Sequence, residues 1–450
     1  MKLVNWLTIA LCAPLVITCV ELMAISIALR QIMQEFSSTI ETAQWLISAY
    51  TLGIASFLIV IGRLADLYGR RRLLIIGVVL FGLISALATV SMTMPQLIAC
   101  RFIQGVASSM ISTTVISIIT HHFPKEIRSS MIAKWSISIG VGLSAGPLVG
   151  AMLIYFFSWR AIFFINVPAC FWALYLVVRY IPESKDFNAT IKINWFEAII
   201  LSLFMLALIS LLSEIGVVSW HSAFMVVAFL AVISSGLILA INHFLKRSSL
   251  IDFSLFRLKN FSGAVFSGTI SYFYMYAWLF VLGVFLQEGL HLSPIRVGLT
   301  FIAFSIASAI TAQYLKYFIA RFGSKQSMQS GFLLAMLSFL WMSTITASTP
   351  MSELIIMFAM LGVSITMVNV PSMTVATQHI PLEKVGVASG TIFTLRWFGG
   401  TLGVALTTLI FYFFSETKHS LEAGLYYSCL WLVLITFLGF VFTSRMIRQT

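Results

Sequence analysis

Apolar residues in this chain fall in long, nearly unbroken blocks separated by short polar stretches. Leu7 to Leu29 is one block and Phe224 to Ile241 another. A bilayer core needs about 20 apolar residues per helix, and backbone groups in lipid must be satisfied within the segment, so such blocks predict transmembrane helices. The short alternating segments of a membrane β-barrel are not seen. Fourteen segments are predicted: 7–30, 43–61, 73–92, 96–119, 131–155, 161–180, 194–215, 222–244, 261–286, 296–318, 327–346, 353–376, 385–414 and 424–443. The expected fold class is an all-α membrane protein.

Composition agrees. The 450 residues are 60% hydrophobic and 9% charged, with a mean hydropathy of +1.01; a soluble domain carries about a quarter charged residues. A net charge of +12 invites a nucleic-acid reading, but the positions of the charges argue against one. With Met1 in the cytoplasm, 21 of the 27 Lys and Arg fall at cytoplasmic ends or loops. Arg160, Arg296 and Lys418 lie outside, and Arg30, Arg101 and Arg396 lie within or at the ends of helices. This is the positive-inside pattern; it puts both termini in the cytoplasm and requires an even helix count. The first block is too long for a signal-peptide core, and no cleavage site follows it. Cys12, Cys19, Cys100, Cys170 and Cys429 all lie in apolar helices without metal-ligand spacing and read as packing residues. His121 and His122 are adjacent, so they do not share a helix face.

An internal repeat is visible. Residues 97–110, LIACRFIQGVASSM, align with 354–367, LIIMFAMLGVSITM, and RLADLYGRR at 63–71 echoes YFIARFGSK at 317–325. Repeats of this kind build many transporters, with the substrate site between them. The division that follows is a six-helix half over 1–180, a linker and inserted helix pair over 181–248, and a second six-helix half over 249–450. The polar stretches 181–193 and 245–260 are then cytoplasmic linkers.

Four motifs carry the chemistry. GRLADLYGRRR at 62–72 joins the second and third helices. Gly62 and Gly69 allow close helix approach and a tight turn. Asp66 is one acid among four arginines, so with Arg70 and Arg71 it can latch one side of the molecule shut and release it. Helix 4 holds Arg101, Gln104 and Gly105; a lone arginine in a membrane helix needs a partner or a function. Helix 5 holds Gly142, Gly146 and Gly150 at every fourth position, a smooth face for close packing, with Pro147 among them. Helix 1 holds Glu21 within CVELMAISIALRQI.

These motifs resemble the major facilitator superfamily. The 62–72 loop is similar to its signature loop, Arg101 to its helix 4 arginine, and 140–153 with SWRAIFFINVP at 158–168 to its antiporter branch. Glu21 stands where the 14-helix drug:proton antiporters carry an acid, usually Asp. Similar stretches at 249–264, 285–299 and 395–406 extend the resemblance over nearly the whole chain. There are departures: the inserted pair begins Asn194-Trp195-Phe196-Glu197, and the second-half loop has Ala320 in place of the acid.

The resemblance implies the major facilitator fold and secondary transport. Glu21 is the only carboxylate well inside a membrane helix of the two halves, so Glu21 with Arg101 is the expected proton-coupling pair. Helices 9–14 hold no deep acid, which leaves few counter-charges for a dication. Gln104, Tyr272, Tyr276, Asn369 and Arg396 are the candidate substrate-cavity residues. Arg396 sits near mid-membrane. Tyr272, Phe273, Tyr274, Tyr276 and Trp278 offer aromatic faces, and Asn369 with Pro371 is expected to break helix 12.

The expected function is proton-coupled export of a small amphipathic or organic molecule across a bacterial inner membrane. The partners would be substrate, protons and lipid, without nucleic acid, cofactor or metal, and the protein is expected to be monomeric. An importer or facilitator of a small organic molecule or siderophore-like ligand on the same fold is the alternative. No nucleophile–base pair is present to suggest an enzyme.

Overall fold

The computed structural model describes residues 2–123, 125–183, 195–213, 222–244, 253–378, 380 and 385–447. Among them the chain is helical without a strand. The helices are α1 (Lys2–Phe36), α2 (Ile40–Tyr68), α3 (Arg70–Thr89), α4 (Met94–His122), α5 (Lys125–Phe156), α6 (Arg160–Phe164), α7 (Asn166–Tyr180), α8 (Trp195–Ser213), α9 (Ala223–Phe244), α10 (Lys259–Glu288), α11 (Pro294–Met342), α12 (Met351–Thr377), α13 (Val385–Lys418) and α14 (Leu421–Met446). Eleven helices among the described residues are long and apolar enough to cross a membrane.

Each of the fourteen predicted spans is found, though three are drawn differently. The sixth, 161–180, is divided into α6 and α7. Pro168 has no N–H, so the carbonyl of Phe164 loses its partner four residues on, and α6 ends at Phe164. The tenth and eleventh run together as α11, bent at Gly323 with φ +85°. Gly69, its counterpart in the repeat, has φ +106°. Both turns therefore use the left-handed region that only glycine enters freely. Some helices run past their apolar blocks at both ends (α1 covers 2–36 where 7–30 is apolar), because the hydrogen-bond ladder continues beyond the hydrocarbon.

Within each half, glycines set the crossings. A Cβ on Gly105 of α4 would collide with the carbonyl of Tyr50 on α2, and one on Gly362 of α12 would collide with the carbonyl of Phe304 on α11. The repeated glycine thus does the same job twice. Gly142, Gly146 and Gly150 lie against Cys19, Met23 and Ala24, so the smooth face of α5 packs on α1, the helix of Glu21. Gly62 differs from the expectation: a Cβ there would sit 3.5 Å from Thr113, an ordinary contact. The tight turn belongs to Gly69 alone.

The inserted pair α8–α9 packs beside α2, where Ser202 donates to the carbonyl of Ser56 at 2.8 Å. Leu201 and Met205 of α8 cluster with Val60 of α2 and Phe398 of α13. The pair therefore covers the crease between α2 and α13. At the opposite ends of α1 and α5 from their N-termini, α1 meets α10 where Arg30 donates to the carbonyl of Gln287 at 3.5 Å. There too α5 meets α11, with Gly298 against Pro147 and Ala151.

Candidate functional site

Glu21 is buried in the first half, where its two carboxylate oxygens meet two different partners. Arg101 Nη1 of α4 donates to its Oε1 at 2.5 Å, and both side chains are 0% exposed. Asn166 Nδ2 of α7 donates to its Oε2 at 3.0 Å. Arg101 also donates from Nε to the carbonyl of Leu46 at 2.9 Å and from Nη1 to Gln104 Oε1 at 3.1 Å. Its guanidinium carbon lies 4.3 Å from the ring centre of Tyr50, while Nη2 finds no hydrogen-bond partner. Gln104 Nε2 continues the chain to Ser85 Oγ of α3 at 2.9 Å. Tyr50 donates to Ser108 Oγ at 2.9 Å.

The pairing expected from sequence is therefore formed: Arg101 turns into the helix bundle. Gln104 is fully buried, with its amide engaged by Arg101 and Ser85, so it links α4 to α3. Asn166 was missed. Its signal was a lone amide in an otherwise apolar span, two residues before a proline; such a group in lipid needs a partner. The α6–α7 break sets that amide toward Glu21.

The second half holds Arg396 of α13, 4% exposed. Its Nη2 donates to Ser372 Oγ at 2.8 Å and to the carbonyl of Asn369 at 3.4 Å. Nε has no hydrogen-bond partner. Gly268 of α10 makes room for it, since a Cβ there would lie 2.6 Å from Nε. Asn369 Oδ1 accepts from Ser271 at 2.6 Å. The guanidinium lies 5.7 Å from the ring centre of Tyr272 and 5.9 Å from that of Phe393.

The aromatic run on α10 divides. Tyr272 and Tyr276 are four residues apart, share a face, and meet Trp397 of α13 at 5.9 Å and 5.5 Å. Trp397 in turn packs on the cluster of Leu52 and Ala55 of α2, as does Trp45, and Phe393 meets Trp135 of α5 at 5.5 Å. These rings line the seam between the halves. Tyr274 and Trp278 face the other way: Tyr274 bonds Ser364 at 2.9 Å, and Trp278 stacks on Phe301 at 5.5 Å. Phe273 packs on Trp431. Those three are packing residues. The expected break at Asn369 and Pro371 is absent, since α12 is continuous from Met351 to Thr377. The carbonyl of Met367, which Pro371 cannot serve, accepts instead from Ser327 Oγ at 3.0 Å.

In the signature loop, Glu183 faces the start of α3. The Arg71 N–H donates to its Oε1 at 3.2 Å, Arg72 Nε lies 3.7 Å from its Oε2, and Arg71 Nη2 donates to the carbonyl of Val178 at 2.6 Å. Sequence reading overlooked Glu183. The backbone of Asp66 closes α2; its side chain and that of Arg63 lie outside the described residues, as do most of the linkers 181–193 and 245–260.

Helical halves repeated around a seam, with a buried acid–arginine pair in one of them, fit a membrane transporter. The signature of the Major Facilitator Superfamily matches residues 9–404 and 264–449, and the chain belongs to that superfamily. It is 28% identical to the multidrug resistance protein Stp of Mycobacterium tuberculosis, over 86% of this chain and 72% of that protein. It is 26% identical to the multidrug efflux pump LfrA of Mycolicibacterium smegmatis, over 93% and 83%, and 24% identical to the riboflavin transporter RibZ of Clostridioides difficile, over 90% and 88%. The crystal structure of the human organic anion transporter MFSD10 superposes with a TM-score of 0.66 at 14% identity, covering 98% of this chain and 99% of that one. At that identity the likeness is one of fold alone.

Proposed function

We propose that this protein is a proton-coupled exporter of small amphipathic organic molecules, seated in a bacterial inner membrane with both termini in the cytoplasm. The observation that carries this reading is the Glu21–Arg101 ion pair, fully buried in the first half and shared with Asn166. A charged pair in lipid is costly unless both partners are satisfied. Protonating Glu21 removes the charge that holds Arg101 and frees its guanidinium to change partners. The two protonation states thus favour different arrangements of α1, α4 and α7, the differential interaction that a conformational cycle requires. Because α5 packs on α1 through Gly142, Gly146 and Gly150, and α5 and α1 also meet α11 and α10, a shift of α1 is passed to the seam. Export is supported by the relatives named for multidrug resistance and efflux. The loop of Gly69, Arg70 and Arg71, with Asp66 and Glu183, would hold the cytoplasmic side. Tyr272, Tyr276, Asn369 and Arg396 would meet the cargo, and one chain would suffice.

Glu21→Gln mimics the protonated acid. In proteoliposomes it is expected to abolish uphill transport driven by an imposed pH difference while leaving downhill exchange in place. Concentration of substrate by Glu21→Gln vesicles against its gradient would remove Glu21 from the coupling step. Net uptake toward the cytoplasmic face on proton entry would favour import; the relative RibZ is named only as a riboflavin transporter.

A further inference from the structure

The two buried arginines are not equivalent. Arg101 is neutralised by Glu21 at 2.5 Å. Arg396 is paired with no acid: among the described residues no ion pair includes it, its Nη2 donates to a hydroxyl and a peptide carbonyl, and its remaining polar neighbour is the neutral Tyr272. The described carboxylates of the second half, Glu288, Glu353, Glu416 and Glu422, lie at or beyond helix ends. Arg396 is nevertheless 96% buried by its 4% exposure, and its Nε donates to nothing. A buried charge without a counter-charge is expensive, and a guanidinium keeps its charge in proteins. The same group borders the seam where the halves meet: it lies beside Tyr272 and Phe393, and Tyr276 and Trp397 follow on.

We propose that Arg396 is the anion-recognition group of the cargo site, and that the protein's preferred cargo is an aromatic or amphipathic organic anion. The acidic group of the cargo supplies the counter-charge that no described residue provides, and the planar fork of the guanidinium suits a carboxylate, sulfonate or phosphate. Tyr272, Tyr276 and Trp397 receive the apolar rings. The charge balance points the same way. With Glu21 ionised, the paired first-half site contributes no net charge and Arg396 contributes one positive charge; with Glu21 protonated, both arginines are positive. In neither state do these three groups favour a cation. This inference rests on the reading of the seam as the cargo site, but not on Glu21 as the coupling residue.

Fluorescein and rhodamine 123 share a three-ring frame and carry opposite charge, so they separate charge from shape. Binding is measured by fluorescence anisotropy on the purified full chain in lipid nanodiscs, with no gradient imposed, so that failure of proton coupling leaves the result unaffected. The wild-type protein is expected to bind fluorescein roughly tenfold or more tightly than rhodamine 123. R396Q is expected to lose that preference and R396K to keep part of it. Equal or tighter binding of rhodamine 123 by the wild type overturns the proposal, whatever the variants do. So does absence of fluorescein binding, or an unchanged fluorescein affinity in R396Q. The Glu21→Gln transport test can fail while this preference stands, and the reverse.

Discussion

The two six-helix halves share a backbone plan and differ in what they bury. Gly105 and Gly362 occupy matching positions of the repeat, and each lets two helices meet carbonyl against Cα. Gly69 and Gly323 turn the chain with the same sign of φ. Four residues before the crossing glycine, the halves part company. Arg101 reaches Glu21, Gln104 and Leu46, whereas its counterpart Phe358 sits among Trp278 and Phe301 at 5.0 Å and 5.2 Å. The second half instead carries its arginine on α13, with no ion pair to it among the described residues. Duplication therefore preserved the positions where only a glycine fits, since any side chain there strikes backbone. It left free the positions where a side chain needs only some suitable neighbour.

The sharpest way to break this comparison is to strip each arginine of its setting. Arg101→Leu leaves Glu21 buried with Asn166 as its remaining partner, and is expected to destabilise the protein by about 3–5 kcal/mol, the cost of an orphaned buried charge. Arg396→Leu removes an uncompensated charge and is expected to cost far less or to stabilise; thermal unfolding in detergent, followed by monodisperse elution, reads both. Equal losses would mean that Arg396 has a counter-charge after all. Next come the crossings. Gly105→Ala and Gly362→Ala should each lower stability by about 1–3 kcal/mol, as overpacked contacts do, and by similar amounts. A tolerated substitution in one half only would show that the repeat no longer shares its geometry.

A smaller effect is expected at Asn166. Replacement by Leu removes a donor to a carboxylate, at about 1.5–3 kcal/mol in water-soluble proteins and less in a bilayer. Proton-driven transport should slow several-fold in Asn166→Leu, with downhill exchange less affected; equal slowing of both would make Asn166 a packing residue only. The smallest effect belongs to the second half. Ser327→Ala leaves the Met367 carbonyl beside Pro371 without its donor and should cost about 0.6–1 kcal/mol with transport unchanged. A loss of cargo binding in that variant would tie the α12 proline to the site.

Length and periodicity in the sequence were enough for the spans, and the motifs for the Gly69 turn and the smooth face of α5, though not for Gly62, because lipid forces the backbone to satisfy itself and forbids a side chain where two helices touch. The acid–arginine pair was also legible, since each is too costly in a membrane to stand alone. Which neighbour each polar group chose was decided by the tertiary structure. Glu21 and Asn166 are separated by 145 positions, and Gln104 turned toward Ser85 of α3. On α10, Tyr272 and Tyr276 took the seam while Tyr274 and Trp278 took the core. In a soluble protein the polar face of a helix announces which side meets water. Here nearly every face is apolar, so helical spacing groups residues into faces without saying whether a face looks to lipid, to a neighbouring helix or across to the other half. Only the packing of the helices against one another settles that.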